Sequence, residues 1–123
     1  MEAYRLPKST EQEKQARSAQ IQTRLKHAAD IPLATAENCA RTLSLARTLS
    51  ELANENVLSD LQTALFLTHA STMGALANVE INLASIKDDE YRKETRSKIE
   101  EIRERIEREK TEALKIMSSR MKK

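Results

Sequence analysis

Between Leu61 and Val79 the chain carries no Lys, Arg, Asp or Glu. A stretch that long without charge must turn much of its surface to other protein, either as several strands or as one long helix. Strands joined within it would need tight turns, yet the whole chain has one glycine, two prolines and only Tyr4, Phe66 and Tyr91 as aromatic residues. Helix is therefore the reading for this stretch, and all-α the fold class for the chain.

The uncharged helix is not uniformly apolar. At about 100° per residue, Ser71, Gly74, Asn78 and Asn82 fall within roughly 40° of Asp60, with Leu67 among them. Burying a carboxylate and two carboxamides costs several kcal/mol unless each is hydrogen-bonded, so this small polar stripe points to a partner helix or a ligand. The expectation is a buried stripe on a central helix.

Charge divides the rest of the chain: ten charged residues in 1–30, seven in 31–86 and 23 in 87–123. Leu6-Pro7 disfavours helix, so an extended lead or the end of an earlier helix should precede a start at Thr10, which has capping-box spacing with Glu13. Ala16, Ile21, Leu25, Ala28 and Ala29 then repeat at helical spacing to about Asp30, where Pro32 predicts a break and a new first turn. Leu33, Ala36, Ala40, Leu43, Leu49 and Ala53 form the inner face of a second helix, closed by Asn54-Glu55-Asn56. A third helix runs from Leu58 or Ser59 to about Ile86, and Asp88 or Asp89 caps a fourth. Its stripe is Tyr91, Thr95, Ile99, Ile102, Ile106, Ala113, Met117 and Met121, with Asp88–Arg92, Glu94–Lys98, Glu101–Arg105 and Glu104–Arg108 as i,i+4 pairs on the outside. The expectation is one helical domain over 1–123, an antiparallel bundle of about four helices with the third and fourth long, assembling as a homodimer or higher helical oligomer.

Several function classes are disfavoured. A net charge of +2 made of interleaved signs gives no field for nucleic acid, and the basic end Arg120-Met121-Lys122-Lys123 is too small to change that. No apolar run is long enough for a membrane span, and no cleavable signal opens the chain. Cys39 stands alone, which suits a reducing cytoplasmic setting. His27, His69 and Cys39 show no metal-ligand spacing, and neither a phosphate loop nor a nucleophile triad can be assembled.

Particular words of the sequence carry a family resemblance. Ala3-Tyr4-Arg5-Leu6-Pro7-Lys8, Ala28-Ala29-Asp30-Ile31-Pro32-Leu33, Asn56-Val57-Leu58-Ser59-Asp60-Leu61, Ala77-Asn78-Val79-Glu80-Ile81-Asn82-Leu83 and Ile86-Lys87-Asp88 follow in order. In order and spacing they resemble the formiminotetrahydrofolate cyclodeaminase and methenyltetrahydrofolate cyclohydrolase family, over essentially the whole chain. The resemblance implies a helical domain that dimerises and binds a reduced folate near the subunit contact, with a tetrahydrofolate derivative as substrate and no covalently bound cofactor. It also implies a longer domain, with a glycine-rich earlier half and a catalytic aspartate that would lie before Met1. This chain then looks like the C-terminal portion, with a separate chain as one source of the remaining half.

Under that resemblance Asp60 is the candidate for proton transfer or pterin contact, set against a first-turn acid that stabilises the helix dipole. Ser59, Asn78 and Asn82 are candidates for the pterin edge, the two amides also reading as interhelical pairs in a core. Lys8 is a candidate for the folate glutamate tail, or else a solvated surface lysine. Because Asp60 and Asn78 stand 18 residues apart, they lie roughly 27 Å apart on one helix, so only a second copy packed antiparallel would bring them to one ring. The competing reading is a helical oligomerisation fragment without catalysis.

Overall fold

The computed structural model describes residues 2–121, and over them the chain is all-helical. A 3-10 turn, Glu2–Arg5, precedes α1, Glu11–Leu52; a second 3-10 turn, Glu55–Val57, leads into α2, Leu58–Leu83; and α3 is Asp89–Met121. The described residues thus hold three α-helices, not four, because the break expected at Pro32 does not occur.

The reason lies in one carbonyl. Proline lacks the N–H that would reach back four residues, which leaves the Ala28 carbonyl without its helical partner. Asn82 supplies the missing donor from α2: its Nδ2 donates to Ala28 O at 3.3 Å and to Asn78 O at 2.9 Å. With the orphaned acceptor satisfied from outside, the helix continues through the proline.

The ends of the helices are built from local chemistry. Thr10 and Glu13 close the expected capping box at the start of α1, with Glu13 N donating to Thr10 Oγ1 at 3.1 Å. At its other end the Arg120 guanidinium donates to Ser50 O at 2.8 Å and Ala53 O at 2.6 Å, satisfying carbonyls that the helix cannot. The Asn54 side chain accepts from Asn56 N at 2.9 Å and shapes the turn into α2. Asp88 caps α3 by accepting from Tyr91 N at 3.0 Å. Gln22 holds the α2–α3 connection in place, donating to Ser85 O at 3.1 Å and accepting from Lys87 N at 2.8 Å.

α1 is the helix that packs along both others. α2 runs antiparallel to it, from the tight turn after Leu52 to the Asn82–Ala28 contact. α3 runs parallel to it, from the Lys26–Asp88 pair at 2.7 Å through Ser44–Glu109 at 2.5 Å and Arg47–Glu112 at 3.1 Å. Leu25, Ala29, Leu33, Ala36, Ala40 and Leu43 of α1 meet Leu58, Leu65, Leu76, Val79 and Leu83 of α2 and Ile99, Ile102, Ile106, Ala113 and Met117 of α3 in one core. Most of the expected inner faces are buried, but Ala16, Leu49 and Met121 face solvent. Two bases of the expected i,i+4 pairs on α3 reach other acids, Arg92 pairing with Asp89 at 3.7 Å and Arg105 with Glu109 at 4.0 Å, while Arg103 bridges to Glu80 of α2 at 3.1 Å.

Asn82→Ala should therefore destabilise the chain by about 1–3 kcal/mol, the cost of a half-buried carbonyl left unpaired. In a Pro32→Ala background, where the helix regains its own N–H donor, the same change should cost less than about half as much. Urea melts of the four proteins measure both steps.

Candidate functional site

α2 turns Leu58, Leu65, Thr72, Leu76, Val79 and Leu83 inward, and the opposite side of a helix must then face out. Asp60, Leu67, Ser71, Gly74 and Asn78 are all exposed. The expectation of a buried stripe is thus corrected: in the single chain the stripe is an outer face, and α2 is not the central helix. Among the described residues, a Cβ added at Gly74 would meet nothing within 4 Å, so the space directly above that position is open.

The candidate residues separate into groups. Ser59 and Asp60 sit exposed in the first turn of α2, whose N-cap, Val57, offers no side-chain acceptor. Asp60 there faces the positive end of the helix dipole. Asn78 and Asn82 lie about five turns away, roughly 27 Å for Asp60 to Asn78 along a continuous helix. Asn82 is half-buried with its Nδ2 used twice, so only its Oδ1 remains to accept from a ligand. Lys8 is exposed in the loop before α1, at the end of the bundle far from Asp60. Within one chain the structure brings together Ser59 with Asp60 and Asn78 with Asn82, and no others of the set.

Two polar clusters lie elsewhere. At the start of α3 the Tyr91 hydroxyl donates to Asp30 Oδ1 at 2.5 Å, while Lys26 pairs with Asp88 and lies 5.4 Å from the Tyr91 ring centre. Burial first, and the Asp30 carboxylate second, push the Tyr91 hydroxyl up to about 12, so it serves as a donor and not as a base. The hydrogen bond from Lys26 and then that from Tyr91 N hold the Asp88 carboxyl below the usual range. Sequence reading placed Tyr91 only in a packing stripe; its phenolic end, one turn past a capping Asp, was the signal available. The second cluster joins α2 to α3, where His69 Nε2 meets the Glu107 carboxylate and Lys110 pairs with Glu107 at 3.3 Å. The His69 hydrogen bond is the larger reason, and Lys110 the lesser, that Glu107 titrates below its ordinary value.

Surface hollows follow α3, the α1–α3 groove lined by Glu37, Arg41, Lys98, Glu101 and Arg105, and the α2–α3 groove lined by Glu80, Leu83, Arg96, Ile99 and Glu100. Among the described residues no three His, Cys, Asp or Glu side chains are grouped to hold a metal ion, and no helix is long and apolar enough to cross a membrane.

Comparison with known proteins decides the family. The formiminotransferase-cyclodeaminase family model matches residues 1–101. The chain belongs to that family. A methenyltetrahydrofolate cyclohydrolase from Methylorubrum extorquens is 39% identical over 100 residues, covering 81% of this chain and 48% of its own. The formimidoyltransferase-cyclodeaminase of Rattus norvegicus is 32% identical over 117 residues, covering 95% of this chain and 21% of its own. That of Gallus gallus is 37% identical over 95 residues, covering 77% and 18%. The chain therefore spans about half the length of the cyclohydrolase and about a fifth of the cyclodeaminases. It is a protein of the folate one-carbon family, matched along nearly its whole length.

The Glu107 geometry has a pH signature. A carboxyl held low by its native partners contributes stability that is complete above its unfolded value, about 4.3, and lost as pH falls through the folded value. Because the Glu107 side chain is 48% exposed, the contribution after solvent screening is below about 1 kcal/mol. Between about pH 6 and pH 3.5 the melting temperature of Glu107→Gln should fall less than that of the parent.

Proposed function

We propose that this chain forms part of a reduced-folate site for one-carbon chemistry, with a tetrahydrofolate derivative as substrate and no resident cofactor. The observation that supports the reading is the family match over residues 1–101, which spans both Ser59-Asp60 and Asn78 to Asn82. The reaction is either cyclodeamination of the formimino group or hydrolysis of the methenyl bridge. Both pass through a tetrahedral carbon between two folate nitrogens and need a proton donor and acceptor beside them. Asp60 is assigned that proton transfer; Ser59, Asn78 and the free Oδ1 of Asn82 hold the pterin edge.

The separation of Asp60 from Asn78 makes this a subunit-contact site: Asp60 of one copy faces the amides of another. Lys8, at the far end of α1, serves the glutamate tail from a different copy than the one that supplies Asp60. A separate chain equivalent to the remainder of the cyclohydrolase completes the domain where activity requires it. The setting is the cytoplasm, with no nucleic acid or membrane partner.

The competing reading, a helical oligomerisation fragment without catalysis, is favoured by the exposure of Asp60, Leu67, Ser71, Gly74 and Asn78 along one outer face. Incubation with methenyltetrahydrofolate separates the two. The folate reading expects loss of its near-ultraviolet absorbance above the buffer rate, slowed at least about 100-fold by Asp60→Asn as for loss of a general acid or base. A rate equal to buffer, with no rise in melting temperature on adding the folate, selects the fragment reading.

A further inference from the structure

The turn that joins α1 to α2 lacks the common means of closing either helix. A helix often ends on a residue with left-handed backbone angles, after which the next N–H groups satisfy its last carbonyls. Here Ala53 leaves α1 extended, at φ −66° and ψ 152°, and among the described residues none has a positive φ. On the other side Val57 precedes α2 without a side-chain acceptor for its first N–H groups. The Asn54 side chain organises the turn internally, through Asn56 N, but ties it to nothing else.

The tie comes from the far end of α3. Arg120 Nη1 donates to Ser50 O at 2.8 Å and Nη2 to Ala53 O at 2.6 Å, so one planar guanidinium spans both carbonyls. A single ammonium does not reproduce that fork. Among the described residues these are the only hydrogen bonds from positions 50–58 to another element, and Arg120 pairs with no carboxylate. Met117, fully buried three residues earlier, fixes α3 as it reaches the turn. Leu58, also fully buried, anchors the start of α2. The backbone between is thus held at two points, the Arg120 grip on Ala53 and the burial of Leu58.

From this geometry we infer that Arg120 is a positioning residue for the first turn of α2. It stands beyond residues 1–101, which the family model matches, and acts on Ser59 and Asp60, which lie within them just after the turn. Without Arg120, Ala53 and the residues that follow lose their hydrogen bonds to α3, and the backbone that sets where Ser59 and Asp60 stand loosens. The inference rests on the reading that gives Asp60 the proton transfer. Arg120 touches no substrate in it and works through the turn alone. Placement at this level matters to chemistry, since a shift of about 1 Å in a reacting group costs about 100-fold in rate.

Two measurements on the full chain test it. Arg120→Met keeps the stem and removes the donors, Arg120→Lys keeps the charge, and Arg103→Met breaks a different bridge, that to Glu80. Circular dichroism confirms that each variant keeps its helix content at the working temperature. Backbone order parameters of Asn54 to Val57 should fall from about 0.85 in the parent to below about 0.6 in Arg120→Met. They should take an intermediate value in Arg120→Lys and the parent's value in Arg103→Met. With methenyltetrahydrofolate, Arg120→Met should lower kcat at least about tenfold with KM within about twofold, and Arg120→Lys should recover part of the loss. A turn that keeps the parent's order parameters in Arg120→Met overturns the inference, and so does a loosened turn with kcat unchanged. A parent that turns over no folate removes the folate chemistry, and the order parameters then decide alone whether Arg120 holds the turn.

Discussion

The fold depends on the satisfaction of one carbonyl. Pro32 withdraws a donor from the middle of α1, and without a substitute the Ala28 oxygen would sit half-buried and unpaired, at a cost of the order of 1–3 kcal/mol. Asn82 provides that substitute and at the same time joins its own helix to Asn78 O. The contact does more than repair a helix. It fixes the register of α2 on α1, since a shift of one residue would carry the carboxamide away from Ala28, and it keeps α1 whole as the axis against which α2 and α3 pack.

An unbroken α1 also explains where the charges of α3 go. A continuous helix parallel to α3 offers partners along its whole length, so Glu109 and Glu112 reach Ser44 and Arg47, and Arg120 reaches the last carbonyls of α1. A bond across helices restrains two elements, whereas an i,i+4 pair on an exposed surface restrains one and contributes only a few tenths of a kcal/mol. α3 thereby covers one side of the α1–α2 pair with mixed charge. Among the described residues no further helix covers the other side, and it is there that the uncharged stretch from Leu61 to Val79 turns its outer residues.

Much of this was legible in residue pattern. The capping box at Thr10, the Asp88 cap and the α3 stripe from Thr95 to Met117 follow from local spacing, and local spacing is what sequence displays directly. The merger of two expected helices was not legible, because it rests on a hydrogen bond between residues 54 positions apart. The sidedness of the Asp60 stripe was misjudged for a related reason. A helical wheel shows which residues share a face but not which face meets the neighbours, and the charge-poor composition of α2 suggests a core helix when one side of it is a surface. Asn82 illustrates both: its place among the candidate ligands came from the resemblance, and its use as the partner of Ala28 from the tertiary contact.

These two uses of Asn82 constrain each other. A carboxamide whose donors are committed to two carbonyls presents only an oxygen, so any folate atom it meets must be a donor, such as a ring N–H or an exocyclic amine. Under the proposed folate reading, that restriction would turn a donor-bearing edge of the pterin toward Asn82. Because Asp60 lies roughly 27 Å from Asn78, one chain does not bring the two to the same ring, and the proposed site therefore draws its second wall from another copy or another polypeptide. The same proline that demands Asn82 for the fold thus removes both amide donors of Asn82 from any ligand that the proposed site would hold.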